Sequence, residues 1–526
     1  MANRFAVRIH AMDVPDARKV HDHPIPRSGG VAMAAGVIFT VLFLLPRNPV
    51  LTSYLIGSGI IVIFGFFDDF HGMGYKTKFA AQIAAALIVV LLGGCKISSL
   101  GSLLPDGWTL PGFIAIPLTV LVIVGVTNAI NLSDGLDGLA GGISLLGFCC
   151  IGYLAYLEEE MAIMVIAACL AGAIFGFLRF NTYPASIFMG DSGSQFLGFS
   201  AIVLSLIITQ GSRPMSSLLP LVILGFPILD TIIVMGQRLV EKRPLFTADK
   251  NHLHHRFIKV GFFHTEAVMI IYVIQAFLVI GAVILKYHSE WLLLIGYIVF
   301  SAFVIGFFTI ADRTNWKLSR VGFFDTVVKG RLKRLRGRRY AIRISFQTLQ
   351  YGLPALLLVT SFLPSSIPPY LTKAAGIAIA VLLVTRFLQR SWKPYVLMVV
   401  LYLFTPFLIF LSTSELAEWL TATYERLYQL SFLVLAFFMI TTLKFTHRQQ
   451  GFTIKPTDFL ILFVAVVVPF LLSDYTQNKN LPAIATKTVV LFFGFEVLVG
   501  ELRGEYGKLT WFTIIVLAVV MMRGIL

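Results

Sequence analysis

The chain has 526 residues, 57% of them hydrophobic and 13% charged, with a mean hydropathy of +0.85. A charged share about half that of ordinary soluble domains excludes a soluble enzyme, a disordered protein and a nucleic-acid-binding domain. The net charge of +15 reads first as membrane topology and second as attraction for anionic lipid or phosphate-bearing substrates.

The first 30 residues are polar and basic, with no apolar core of a signal peptide. Apolar runs follow at 31–46, 52–67, 79–94, 112–130, 136–157, 161–178, 194–210, 217–235, 267–285 and 291–310. Most approach the roughly 20 residues that cross a bilayer. A basic segment, 311–346, precedes about seven more runs. The expected fold class is an all-α polytopic integral membrane protein. It would have about ten transmembrane helices in a domain of residues 1–310, a cytoplasmic or interfacial linker at 311–346, and a multi-span region at 347–526. In the linker, Arg331, Lys333, Arg334, Arg336, Arg338 and Arg339 alternate with Val327, Val328, Leu332 and Leu335, the pattern of a basic helix lying on anionic lipid. Cys95, Cys149, Cys150 and Cys169 show no CxxC spacing, so neither a disulfide framework nor a cysteine metal site is expected.

Charge fixes the orientation. With the N-terminus in the cytoplasm and each of the first ten runs crossing once, twenty-five Lys and Arg fall on the inner side. Only Arg47, Lys96, Arg213 and Lys286 fall outside, with the acidic run Glu158–Glu160. The same topology puts every unusual polar cluster of the first 310 residues on the cytoplasmic side. Ionisable groups at the edge of a span are costly unless water, a partner or an ion compensates them.

Four clusters stand out. Asp68 and Asp69 end the second run, followed by Lys76, Lys78 and Gln82; adjacent carboxylates repel unless a cation lies near. Asn128, Asn131, Asp134 and Asp137 recur every third residue before a Gly-rich turn. That places four oxygen-bearing side chains near one face, fit for a hard cation or a ribose, where a helix cap needs only one. Phe188 and Gly190-Asp191-Ser192-Gly193 open the seventh run. Here backbone N–H groups attract phosphate, Asp191 can hold a bridging metal, and Phe188 can stack on a base. A plain Ser/Gly turn is the simpler alternative. Finally, His252, His254, His255 and Arg256 lie in a long basic loop with Lys242, Arg243, Asp249 and Lys250. They read as an anion clamp in preference to a zinc site, which would need a fourth well-spaced ligand. Clustered carboxylates with a basic clamp imply Mg²⁺, with Mn²⁺ as substitute, and a phosphate or diphosphate substrate. The membrane edge adds a lipid co-substrate.

These clusters resemble the motifs of the polyprenyl-phosphate N-acetylhexosamine-1-phosphate transferase family (glycosyltransferase family 4). The matching stretches are DVPDARKVHDHPIPRSGG (13–30), GFFDDF (65–70), NAINLSDGLDGLAGG (128–142), NTYPASIFMGDSGSQFLG (181–198) and DKNHLHHRF (249–257). They stand in the family's order and cover residues 13 to about 310. The HLHHR form is similar to the GlcNAc-1-phosphate branch more than to the MurNAc-pentapeptide translocase. The resemblance implies transfer of an N-acetylhexosamine-1-phosphate, GlcNAc by default, from its UDP-sugar to undecaprenyl phosphate at the cytoplasmic face of a bacterial plasma membrane. UMP is released, and the product starts an O-antigen, teichoic acid or related glycan.

By motif position, Asp191 binds Mg²⁺ and Asp68 deprotonates or orients the lipid phosphate, with Asp69 supporting it or the metal. Asn131 and Asp134 lie near the diphosphate, Asp137 near the uracil, and Phe188 stacks on it. Asn128 and Lys76 also contact substrate, and His252, His254, His255 and Arg256 hold phosphate or sugar. Arg27 and the Arg18-Lys19 pair add charge near the nucleotide. Direct in-line attack is preferred over a covalent aspartyl-phosphate. Family likeness also implies a homodimer. It implies one more span ahead of Asp13 than this sequence shows, so ten are expected in place of eleven. The competing readings are a transporter or flippase, disfavoured because the clusters sit at the membrane edge and no repeat is evident, and an inactive scaffold homologue.

Overall fold

The computed structural model describes residues 12–13, 24–105, 107–211, 215–244, 251–317, 339–385, 393–414, 422–446, 481–502 and 506–525. It is helical, as expected, apart from one short antiparallel pairing of β1 (Met12–Asp13) with β2 (Ile25–Pro26). The chain forms two compact units, the described helices up to Arg313 in the first and those from Arg339 in the second.

The helices of the first unit follow the apolar runs. In chain order they are α1 (Gly29–Leu44), α2 (Pro49–His71), α3 (Tyr75–Leu91), α4 (Gly112–Leu132), α5 (Leu139–Leu157), α6 (Met161–Asn181), α7 (Gly190–Thr209), α8 (Leu219–Ile223), α9 (Gly225–Val240), α10 (Leu253–Val260), α11 (His264–Ile284) and α12 (Glu290–Arg313). The boundaries have local causes. Asn48 accepts from Leu51 N at 2.7 Å and Pro49 takes the first helical position, so α2 starts there. Gly72, at φ 69°, ends it in the left-handed conformation that glycine adopts without strain.

The expected single span at 217–235 is instead two helices. Pro227 has no N–H for the carbonyl four residues back, Ile223. Gln275 of α11 supplies the missing donor, Nε2 to Ile223 O at 2.6 Å, and Tyr297 of α12 donates to Gly225 O at 2.8 Å. The helix therefore breaks at Leu224 and restarts at Gly225.

α7 lies at the centre of this unit, against α1, α2, α4 and α5. Its most apolar window is 94% buried, which its small residues permit. A Cβ on Gly198 would lie 2.9 Å from Thr127 Cα of α4, and one on Gly193 would lie 2.7 Å from Gly30 Cα of α1. Small residues let helix backbones approach closely within a membrane. Ser194, Ser205 and Thr209 bond back to carbonyls of their own helix, and Ser200 pairs with the Tyr54 hydroxyl at 3.0 Å.

The second unit comprises α13 (Arg339–Phe362), α14 (Pro369–Val384), α15 (Lys393–Ser414), α16 (Ala422–Thr446), α17 (Leu481–Glu501) and α18 (Gly507–Ile525). Its core gathers Leu353, Leu357, Leu408, Leu491, Phe495 and Leu517. Residues 447–480, and the basic cluster Arg331–Arg338, lie outside the described residues. Among the described residues, nine helices are long and apolar enough to cross a membrane, seven of them in the first unit.

Candidate active site

The polar clusters meet at one end of the first unit, around the start of α7. Each is delivered by a helix terminus: the ends of α2, α4 and α6 and the beginnings of α3, α5, α7, α10 and α11. Backbone bonds lock the first motif stretch to this end. Phe188 N donates to Pro26 O at 2.8 Å, Gly29 N to Phe188 O at 3.0 Å and Gly30 N to Met189 O at 3.0 Å.

The centre is a lysine held between two aspartates. Lys78 Nζ lies 2.6 Å from Asp68 Oδ2 and 2.7 Å from Asp191 Oδ2. Asp68 is buried, and its other oxygen accepts from Met73 N at 2.6 Å, which closes the turn between α2 and α3. The cation expected here was Lys76. That residue is exposed, and Lys78, one helical turn before Gln82, is the one turned inward. From Asp191 a chain of amides runs down among the helices. Gln195 donates to Asp191 Oδ2 at 3.2 Å, Gln82 to Gln195 Oε1 at 2.9 Å, and Asn128 to Gln82 Oε1 at 2.6 Å. Asn128 is thus linked to Asp191 through two glutamines. Asn131 accepts from Ser194 Oγ at 2.6 Å, joining α4 to the first turn of α7.

Asp69, expected to support Asp68 or the metal, bonds to the start of α7. One oxygen accepts from Asp191 N at 2.8 Å, and the other from Ser192 N at 3.1 Å and Ser192 Oγ at 2.9 Å. A carboxylate here meets orphan N–H groups and the positive end of the helix. Both oxygens help fix the start of α7, so Asp69 positions Asp191. The same bonds occupy N–H groups that the sequence suggested for phosphate.

Asp134 stands half-buried in the turn between α4 and α5. Burial, then the nearby carboxylates of Asp191, Asp69 and Asp137, push its pKa up to about 7, against the opposing charge of Arg27. Arg18 and Lys19 lie outside the described residues. Asp137 Oδ2 accepts from Ala185 N at 2.9 Å, tying this turn to the loop before α7. Asn181 strengthens that tie by accepting from Gly138 N and donating to Ile187 O, both at 2.9 Å. Phe188 is half-buried at the same loop.

The histidine cluster divides. His252 is the residue before α10, and His255 and Arg256 are partly accessible. Arg256 Nε turns back to Asn251 O at 3.1 Å, with its guanidinium 6.0 Å over the Phe308 ring. His254, expected as an anion contact, is 2% exposed. Burial, with the neighbouring histidines adding to it, pushes its pKa down to about 3, so the ring is neutral at physiological pH. Its Nε2 is enclosed without a hydrogen-bond partner, and a Cβ on Gly135 would strike it. His254 is therefore a neutral spacer between α10 and the Asp134 turn. The physical reason is that a buried imidazole cannot carry charge cheaply.

The donor set at this end is carboxylate oxygen, without cysteine. Among the described residues no group of three or more His, Cys, Asp or Glu side chains is assembled into a metal site. Asp134 nevertheless lies close enough to Asp191, Asp69 and Asp137 for their charges to add to the effect of its burial. Such oxygens suit Mg²⁺, which keeps waters and substrate oxygens in its shell and asks few ligands of the protein.

Sequence reasoning passed over Asp230 and gave no separate role to Asn181, Ser194 and Gln195 of the 181–198 stretch; all four are buried here. A lone carboxylate in an apolar run was the available signal for Asp230.

Fold and site together define a polytopic membrane protein with carboxylates and a lysine gathered at its helix ends. The sequence pattern of glycosyl transferase family 4 matches residues 51–209. The chain is 40% identical over 294 residues, 56% of its length and 82% of the relative's, to a probable undecaprenyl-phosphate N-acetylglucosaminyl 1-phosphate transferase of Bacillus subtilis. It is 30% identical over 344 residues, 64% of its length and 92% of the relative's, to the undecaprenyl-phosphate alpha-N-acetylglucosaminyl 1-phosphate transferase of Escherichia coli K12. The protein of that name from Yersinia pestis is 29% identical over 328 residues, 61% of this chain and 89% of the relative. The chain belongs to glycosyl transferase family 4.

Proposed function

We propose that the protein transfers GlcNAc-1-phosphate from UDP-GlcNAc to undecaprenyl phosphate at the cytoplasmic face of a bacterial plasma membrane. UMP is released, and the product begins a lipid-linked envelope glycan. The observation that carries this reading is Lys78 suspended between Asp68 and Asp191 at the start of a buried helix. A cation flanked by two carboxylates at a membrane edge suits a lipid phosphate that must be held and stripped of its proton. The names of the relatives supply the sugar and the polyprenyl carrier. The inward bias of Lys and Arg supports the cytoplasmic face.

In this reading Lys78 binds the phosphate of the lipid, and Asp68 orients it and accepts its remaining proton. A phosphate oxygen then attacks the β-phosphorus of the UDP-sugar, and the bond from that phosphorus to the UMP oxygen breaks. Asp69 and the amide chain hold Asp191 in place, while Asp137 and Phe188 border the nucleoside. Asp191, with Asp68 and Asp134 beside it, would hold Mg²⁺, which when bound neutralises diphosphate charge. Phosphoryl transfer asks chiefly for such positioning and charge compensation.

The test is UMP release by purified protein in detergent with undecaprenyl phosphate, Mg²⁺ and a panel of UDP-N-acetylhexosamines, with Asp191→Asn alongside. Lipid-dependent UMP from UDP-GlcNAc, lost in the variant, is expected. A folded protein that releases none would overturn the reading and favour a scaffold.

A further inference from the structure

Asp230 is the only acidic residue in the 217–235 run, and at 1% exposure it is fully enclosed. Both of its oxygens are spent on the start of α10. Oδ1 accepts from Leu253 N at 2.6 Å, and Oδ2 lies 2.8 Å from His252 Nδ1. The first bond caps the helix, whose preceding residue, His252, offers no side-chain cap of its own. The second fixes a ring. A carboxylate only accepts, so the hydrogen sits on His252 Nδ1.

The other nitrogen, Nε2, makes no hydrogen bond among the described residues and is not one of the enclosed unpartnered atoms. His252 as a whole is 5% exposed, so Nε2 is the ring's unpartnered nitrogen in a largely buried side chain. His254 stacks on His252 with centroids 5.6 Å apart and planes 10° from parallel, which restrains the plane from the side. Both rings are buried, but His254 cannot take the same part, because its Nε2 is fully enclosed against the Gly135 backbone.

We propose that Asp230 is a positioning residue for the transfer reaction: it holds His252 through Nδ1–H so that Nε2 is the nitrogen offered to a phosphate oxygen of the nucleotide sugar. The Asp230 carboxylate stands behind the ring and balances the charge when a proton on Nε2 donates to that oxygen. Such a charge-assisted bond is about twice as strong as a neutral one. The inference rests on the transferase reading above.

Asp230→Asn separates capping from this role. Its amide oxygen still accepts from Leu253 N, but its NH₂ faces Nδ1, which removes the balancing charge and turns the ring to the neutral Nε2–H form. The measurement is kcat and KM for UDP-GlcNAc in the UMP assay, together with thermal melting in detergent. Four proteins are compared: wild type, D230N, His252→Gln and the double variant. Expected is a kcat at least about tenfold lower for D230N, with KM changed less than about threefold, a wild-type melting temperature, and little further loss when D230N is added to H252Q. If D230N melts early, H252Q alone carries the test, since it must also lower kcat. Full kcat in either single variant, or an equal D230N loss in both backgrounds, would leave Asp230 as a helix cap only and overturn the proposal. A wild type without lipid-dependent UMP release would overturn the transferase reading and this assignment with it.

Discussion

Gly65 stands one turn before Asp68 on α2, where that helix crosses the start of α7. A Cβ there would lie 2.5 Å from Ser192 Cα, 2.7 Å from Ser192 N and 3.1 Å from the Asp191 carbonyl carbon. All three are backbone atoms, so no side chain can swing aside. Ordinary contact between carbon atoms needs about 3.5–4 Å, so Gly65→Ala must part α2 from α7 by roughly 1 Å at that crossing. The Asp69 bonds to Asp191 N and Ser192 N span the same gap and lengthen with it. Overpacking costs about 1–3 kcal/mol, offset in part by the gain of up to about 1 kcal/mol for Ala over Gly in a helix. A displacement of that size at reacting groups costs about 10²-fold in rate. Gly59→Ala is the control, since it lies on the same helix with nothing within 4 Å of its Cβ position. UMP release and thermal melting in detergent would be compared for both. G65A is expected to lose about 10²-fold in kcat and to melt below G59A. Equal turnover and equal melting of the two would refute the idea that this close approach sets the site.

Lys78→Gln should reduce UMP release by at least about 10²-fold, while Lys76→Gln stays within about threefold of wild type; the reverse order in a parallel rate assay would reassign the phosphate-binding lysine. Asp69→Asn should lower the melting temperature, as loss of a helix cap worth about 1–2 kcal/mol would, whereas Asp191→Asn should melt near wild type and be inactive. The two variants behaving alike in melting would place both residues in one role. The native pKa of His254, about 3, lies below the ordinary value of 6.5. Below pH 6.5 the unfolded chain takes up a proton that the folded one refuses. This contribution to stability is therefore complete above pH 6.5 and is lost as pH falls toward 3, at up to about 1.4 kcal/mol per pH unit. His254→Asn should flatten that part of the melting-versus-pH curve, and an unchanged slope would show that the native ring is charged.

The spans and the motif positions were legible because each rests on local pattern: apolar run length for α2, α4–α7, α11 and α12, and charge at the helix ends. Partner choice was less legible. Lys76 and Lys78 are equivalent by spacing from Asp69, and only the phase of α3 decides between them. Lys78 and Gln82, four residues apart, share a face, and that i,i+4 pair was the clue available. The role of Asp69 depends on α7 docking against α2, a long-range contact that spacing does not reveal. His254 looked like its neighbours in HLHHR, yet alternate residues at the start of a helix point to different surroundings. The break between α8 and α9 was signalled by Pro227, but its repair by Gln275 required the placement of α11.

That repair has a mechanical consequence. A proline break with its free carbonyl facing water would be a hinge. Here the Ile223 carbonyl is clamped by the Gln275 amide and the next turn is gripped at Gly225 by Tyr297. The break is thus bridged on both sides by neighbouring helices. Asp230 lies five residues past Gly225, so on the proposal above the aim of His252 would depend on two side chains from helices that carry none of the acidic motif residues. An engineer seeking to slow this protein without touching its polar end would begin at Gln275.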